Sequence, residues 1–200
     1  MKKLVLATGN PGKLREIRSL LEPLGIEVLT QAELGIAEAE EPHDTFIENA
    51  LVKARHASAR SGLPALADDS GLCVPALDGE PGVHSAYYAG RDGDREMRDR
   101  ANNNRLAVAM RAIDDRRAHY HCVMLLVRHV RDPEPLIAEA SWHGEIAREA
   151  AGEGGFGYDP LFRVTGRDCT AAELDAEEKN RLSHRGRALQ ALIARLRVEV

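Results

Sequence analysis

The sequence predicts an α/β protein on an open, mixed sheet, and three observations carry that expectation. Strand, helix and strand patterns follow one another within the first thirty residues, the signature of a crossover unit on a sheet. Two long strand-like stretches late in the chain are separated by a proline turn, the pattern of an antiparallel pair. Helical stripes bounded by caps and glycines fill most of the rest.

Taken in order, Leu4-Val5-Leu6-Ala7 is a short apolar run that reads as a buried strand. Thr8-Gly9-Asn10-Pro11-Gly12 is a dense turn signal. Leu14, Ile17, Leu20, Leu21 and Leu24 recur at helical spacing until Gly25, and Ile26 to Leu29 gives a second strand. Residues 33–44 are acidic and loop-like. A capping box, Thr45-Phe46-Ile47-Glu48, opens a second helix that Gly62 closes. Ala65-Leu66-Ala67 runs into Asp68-Asp69-Ser70-Gly71, read as a strand ending in a turn. Residues 78–93 are glycine-rich and read as an irregular loop. A polar helix is expected from Asp94 to Ile113. Strands follow at Tyr120 to Val130 and Leu136 to Ile146, around Arg131-Asp132-Pro133-Glu134-Pro135. Residues 151–160 form the most glycine-dense segment. Thr170-Ala171-Ala172-Glu173 is another capping box, and Leu189, Leu192, Ile193 and Leu196 stripe the last helix.

Composition bounds the function. The 200 residues suit one domain, 1–200, with a sizeable core. At 44% hydrophobic and 30% charged residues, wholesale disorder is excluded. Aromatics make up only 4%, so aliphatic side chains must fill most of the core. A net charge of −5 argues against retention on nucleic acid or an anionic membrane by bulk charge. Cys73, Cys122 and Cys169 form no CxxC pair, which suggests neither a disulfide framework nor a thiolate zinc site and points to a reducing cytoplasm. The apolar run at the N-terminus is too short for an export signal, and none approaches the roughly 18 residues of a membrane span.

Five constellations carry possible chemistry. Thr8, Gly9, Asn10, Pro11, Gly12 and Lys13 lie between a strand and a helix, where amides, helix dipole and a lysine suit an anion. The same residues also read as a tight turn with a solvated lysine, and they do not make a Walker A loop. Asp68 and Asp69 offer carboxylates on opposite strand faces, and oxygen ligands suit Mg²⁺; an Asp-rich turn is the plainer reading. Glu38, Glu40 and Glu41 precede the second helix, from which Lys53 projects; solvated surface charge explains each of them in isolation. Phe156 and Tyr158, two of eight aromatics, share a glycine loop with Gly157 and Asp159. There a planar base could stack, or the rings could pin the loop to the core. Lys179, His184 and Arg185 bring donors for carbonyl or phosphate oxygens near the last helix. Jointly these groups describe a nucleoside triphosphate site. A sensor module of the same shape would need no general base, which Asp68 and Asp69 supply.

The segments LATGNPGKLREI, FIENALVKARHA, ALADDSGL, GGFGYDPLF and LSHRGRAL occur in the order seen in the inosine triphosphate pyrophosphatases, also termed XTP/dITP diphosphatases. The chain resembles bacterial members of that family from Lys3 to about Leu196. The resemblance implies an elongated two-lobed fold with a long mixed central sheet flanked by helices, and an active site in the cleft between the lobes. It implies a Mg²⁺-dependent, cytoplasmic homodimer. Its reaction would take ITP, dITP and XTP to the monophosphate and pyrophosphate, keeping these purines out of DNA and RNA. By matching motif, Thr8, Gly9, Asn10, Pro11, Gly12 and Lys13 would bind the triphosphate. Glu41 and Asp69 would hold the metal, with Asp69 also the proton acceptor. Lys53 and Asp68 would support that site and Ser70 would touch substrate. Phe156 would stack on the base, with Gly157, Tyr158 and Asp159 around it, and Lys179, His184 and Arg185 would contact the base. One segment departs: His84 and Tyr87 stand where members commonly have Tyr and Arg.

Overall fold

The structure is a computed structural model and describes residues 2–198. The strands are β1 (Lys3–Ala7), β2 (Glu27–Thr30), β3 (Ala65–Cys73), β4 (Arg117–Val127), β5 (Leu136–Ile146) and β6 (Phe162–Val164). The helices are α1 (Pro11–Leu21), α2 (Phe46–Ser61), α3 (Arg95–Ala109), α4 (Ala176–Leu182) and α5 (His184–Val198). The strands form one six-stranded sheet in the order β2-β1-β3-β4-β5-β6. β1 lies parallel to both β2 and β3, and β5 lies antiparallel to β6, so the sheet is mixed as expected.

The chain divides into two units. One comprises Met1–Asp69, Cys122–Ala140 and His184–Val200; the other comprises Ser70–His121 and Ser141–Ser183. In the first unit the sheet is covered on both faces, and strand parity decides which residue meets which helix. Leu4, Leu6, Leu66, Cys122, Met124 and Leu126 join Ile17 and Leu21 of α1 and Ala188, Leu189 and Leu192 of α5. The alternate residues Val5, Ala7, Ala65, Ala67, Val123, Leu125 and Val127 pack on Ala50, Ala54 and Ala57 of α2. The second unit gathers the rings that are scarce elsewhere. Tyr120, Trp142 and Phe162 lie with centroids 4.8 to 6.3 Å apart, beside Tyr88 and Tyr158.

Five features differ from the sequence reading. β3 does not stop in a turn at Asp68-Asp69-Ser70-Gly71 but runs straight through to Cys73. Turn propensity yields there to tertiary contact. Cations neutralise both aspartates, Ser85 Oγ accepts from Leu72 N at 2.9 Å, and a Cβ on Gly71 would lie 2.2 Å from Gly82 O. The 78–93 loop contains a 3₁₀ turn over Gly82–Tyr87. α3 ends at Ala109, and β4 is shifted to Arg117–Val127 because Asp132 draws Arg128 into the turn by accepting from its backbone N at 2.9 Å. α4 was not foreseen; Asp175 caps it by accepting from Glu178 N.

Candidate active site

Each unit assembles one set of the candidate residues. In the first unit, Asn10 is the N-cap of α1, and its Oδ1 accepts from Gly12 N at 2.9 Å and Lys13 N at 3.1 Å. Pro11 follows at the first helical position, where its missing N–H costs nothing. Thr8 Oγ1 accepts from Asn10 N. Two amides the sequence offered to an anion are thus taken by Asn10, and the side chain that leaves the turn charged is Lys13. Gly9 is required by close approach, since a Cβ there would sit 1.6 Å from Glu38 Oε1.

Lys13 Nζ lies 2.7 Å from Asp68 Oδ1. Asp68 continues the Leu66 face of β3, toward α1 and α5, and is fully buried. Its Oδ2 accepts from Arg185 Nε at 3.0 Å, and Cys122 Sγ stands 3.5 Å away. Arg185 Nη1 donates to Glu16 Oε2 at 2.5 Å, one turn along α1 from Lys13. Asp69 continues the opposite face, toward α2. Its Oδ1 accepts from Lys53 Nζ at 2.6 Å, and Glu41 Oε1 lies 3.4 Å from the same ammonium. Parity therefore hands two adjacent carboxylates to two different lysines.

Their titration diverges accordingly. Burial opposes ionisation of Asp68, but Arg185, Lys13 and Lys53 outweigh it and hold the carboxyl far below the usual range. For Asp69 burial wins over Lys53 and Lys13, and Glu41 adds to it, so its affinity for a proton is raised. Burial also disfavours charge on Lys53, yet Asp69, Glu41 and Asp68 keep its ammonium above the ordinary value. The two neighbouring carboxyls are thus pushed in opposite directions, Asp68 toward its charged form and Asp69 toward its protonated form.

A metal is tested by donor chemistry. Asp69 Oδ2 is buried and has no hydrogen-bond partner among the described residues. Such an orphan oxygen suits a cation. Among the described residues no group of three His, Cys, Asp or Glu side chains converges on a point. One or two carboxylate oxygens without a full protein cage is the donor set of an ion that keeps waters and takes its remaining ligands from a substrate's phosphates.

The second unit builds the glycine loop. Asp159 is buried, and its Oδ2 accepts from Phe156 N at 2.7 Å and Lys179 Nζ at 2.6 Å. Tyr120 OH lies 3.4 Å from Oδ1. Gly155 has φ of +74°, and a Cβ there would strike Asp159 Oδ2 at 2.1 Å. Tyr158 OH donates to Ser85 O at 2.9 Å, anchoring the loop while leaving Phe156 half-buried. Lys179 Nζ sits 4.6 Å and Arg95 4.9 Å from the Phe156 ring centroid. Ser70, half-buried on β3, also belongs to this unit, whereas buried His184 and Arg185 open α5 in the first.

Sequence reasoning missed Glu16, Cys122, Arg95 and Asp159's partner Tyr120. Only Glu16 left a legible signal, three residues from Lys13 on a helix and hence on the same face. Among the described residues no helix is long and apolar enough to cross a membrane, and the three cysteines are free thiols.

The fold and these groups define a mixed α/β protein that sets lysines against buried carboxylates in one unit and an aromatic on a glycine loop in the other. Residues 4–195 match the model of the Ham1 family, and the chain belongs to that family. It is 60% identical over 194 residues to the dITP/XTP pyrophosphatase of Burkholderia pseudomallei, covering 97% of this chain and 93% of that one. It is 58% identical over 196 residues to the dITP/XTP pyrophosphatase of Nitrosomonas europaea, covering 98% and 95%. The solved structure of a HAM1 protein from Coxiella burnetii superposes with a TM-score of 0.90 at 48% identity, covering 100% of both chains.

Proposed function

We propose that the protein hydrolyses the purine nucleoside triphosphates ITP, dITP and XTP to the nucleoside monophosphate and pyrophosphate, clearing them before they enter DNA or RNA. Its relatives of 60% and 58% identity bear the name dITP/XTP pyrophosphatase. The observation that carries the mechanism is the Asp68–Asp69 pair, adjacent in sequence, facing opposite ways, and tuned in opposite directions.

Water attacks the α-phosphorus and pyrophosphate leaves. Such chemistry needs positioning and charge neutralisation more than covalent catalysis. Asp69 takes the proton of the attacking water as general base. Lys53 holds Asp69 Oδ1 in place, leaving Oδ2 for the reaction. Lys13, with Thr8, Gly9, Asn10, Pro11 and Gly12 of its turn, receives the triphosphate, while Asp68, paired with Lys13 and Arg185, stays ionised and fixes both cations. Mg²⁺ would be held by Glu41 and Asp69, and when bound it supplies positive charge that offsets the phosphate oxygens. Phe156 carries the base by stacking, within the loop of Gly157, Tyr158 and Asp159, and Ser70 touches substrate. His184 and Arg185 supply donors to the 6-oxo group of hypoxanthine or xanthine, and Lys179 contacts the base. The protein works in the cytoplasm as a homodimer.

Turnover of ITP in ¹⁸O-labelled water tests the reaction. Label in the monophosphate alone supports attack at the α-phosphorus. Label in pyrophosphate contradicts it.

A further inference from the structure

α3 is rich in charged and amide side chains, and three of them, Arg95, Asp99 and Asn103, reach the glycine loop. Asp99 Oδ2 accepts from Gly157 N at 3.0 Å. Asn103 Nδ2 donates to Gly157 O at 2.7 Å and to Asp99 O at 2.7 Å; both partners are carbonyl oxygens, which fixes the amide's orientation. Arg95 lies one turn before Asp99, with Nε 3.6 Å from Asp99 Oδ2 and its guanidinium over the Phe156 ring. Gly157, the residue that follows Phe156, is therefore gripped at both its N–H and its C=O, one in each flanking peptide group, by side chains four residues apart on one helix face. Gly157 itself has φ of +63°, and glycine loops have more freedom to lose than any other backbone. Asp159 fixes the loop on the other side of Phe156, through Phe156 N.

We propose that Asp99, Asn103 and Arg95 of α3 are positioning residues for the Phe156 platform, setting where its ring stands and so how well the purine base is held. This rests on the reading that Phe156 stacks on the base. The arm acts on the base and not on the phosphates. Removing it weakens ground-state and transition-state binding alike, so KM rises while kcat holds.

The test compares Asp99→Ala, Asp99→Asn, Asn103→Ala and Phe156→Leu in ITP hydrolysis, with inorganic tripolyphosphate as a competitive inhibitor that has no base. Asp99→Ala and Asn103→Ala should each raise KM for ITP about tenfold, the scale of one hydrogen bond, with kcat within about threefold and the tripolyphosphate inhibition constant unchanged. Asp99→Asn keeps an acceptor for Gly157 N and should recover most of the loss. Hydrogen exchange at the Gly157 amide should quicken in Asp99→Ala and not in Asp99→Asn. A parallel rise in the tripolyphosphate constant, or an unchanged KM while Phe156→Leu raises it, overturns the positioning role and leaves base stacking standing. An unchanged KM in Phe156→Leu overturns the stacking reading and this inference with it.

Discussion

Asp69 offers one oxygen to Lys53 and keeps another, Oδ2, buried without a partner among the described residues. Asp69→Asn keeps the shape and loses the base, so kcat should fall by roughly 10²- to 10⁴-fold while the melting temperature changes little. Near wild-type turnover in that variant contradicts the assignment. Because burial raises the proton affinity of Asp69, kcat/KM should begin to fall, as pH is lowered, above the ordinary aspartate range; a pH–rate profile measures this. Asp68 answers differently. Arg185→Met removes a buried partner and strands its charge, which should cost about 3–5 kcal/mol in thermal unfolding. Lys13→Ala should lower kcat as well as raise KM, since charge on the phosphates shifts as the bond to pyrophosphate breaks. The types and order of these residues were legible in the sequence. Their pairings were not, because nothing local says that Arg185 closes on an aspartate more than a hundred positions earlier.

At the scale of elements, the sequence carried β1, α2, β5 and the capping box at Thr170 nearly to the residue. Each rests on a periodic apolar face or a cap read within a few positions. It failed at β3, where an Asp-Asp-Ser-Gly string that favours turns is held extended by lysines from α1 and α2 and by Ser85. The β4–β5 turn shows the converse, a local device strong enough to set a strand end. Asp132 is buried and accepts from Arg128 Nε and N at 2.9 Å and from Glu134 N at 3.0 Å. The Arg128 guanidinium foremost holds its carboxyl well below the usual range. Asp132→Ala should destabilise the fold by about 1–3 kcal/mol, the cost of unpairing buried donors, as read by chemical denaturation. The carboxyl binds its proton less readily folded than unfolded. Its contribution is therefore complete above about pH 4, the ordinary aspartate value, and is lost as pH falls through the lower folded value. The stability gap between wild type and variant should close on acidification, and a gap that widens contradicts the pairing.

Over the whole molecule, composition alone anticipated an aliphatic interior, and that holds for the first unit, where alanines of α2 lie against the sheet. The second unit departs from it, collecting Tyr88, Tyr120, Trp142, Tyr158 and Phe162 in one cluster. A percentage cannot reveal such segregation. The two units also divide the candidate chemistry. Lysines and carboxylates gather in one, and the aromatic loop with Asp159 and Lys179 in the other. If His184 reads the 6-oxo group as proposed, His184→Ala should reduce ITP turnover more than the weak ATP turnover, and equal proportional losses would contradict that role.

With these groups the protein should select 6-oxo purine triphosphates and release pyrophosphate. A panel of ITP, dITP, XTP, GTP and ATP with Mg²⁺, followed by direct assay of pyrophosphate and of inorganic phosphate, tests it most directly. Adenine would set its 6-amino donor against donors, and a site built on such hydrogen bonds rejects a mismatched partner by up to roughly 10⁴–10⁵ in kcat/KM. Pyrophosphate is the expected product, with ITP, dITP and XTP turned over far faster than ATP. Release of inorganic phosphate, or ATP turned over as well as ITP, would contradict it.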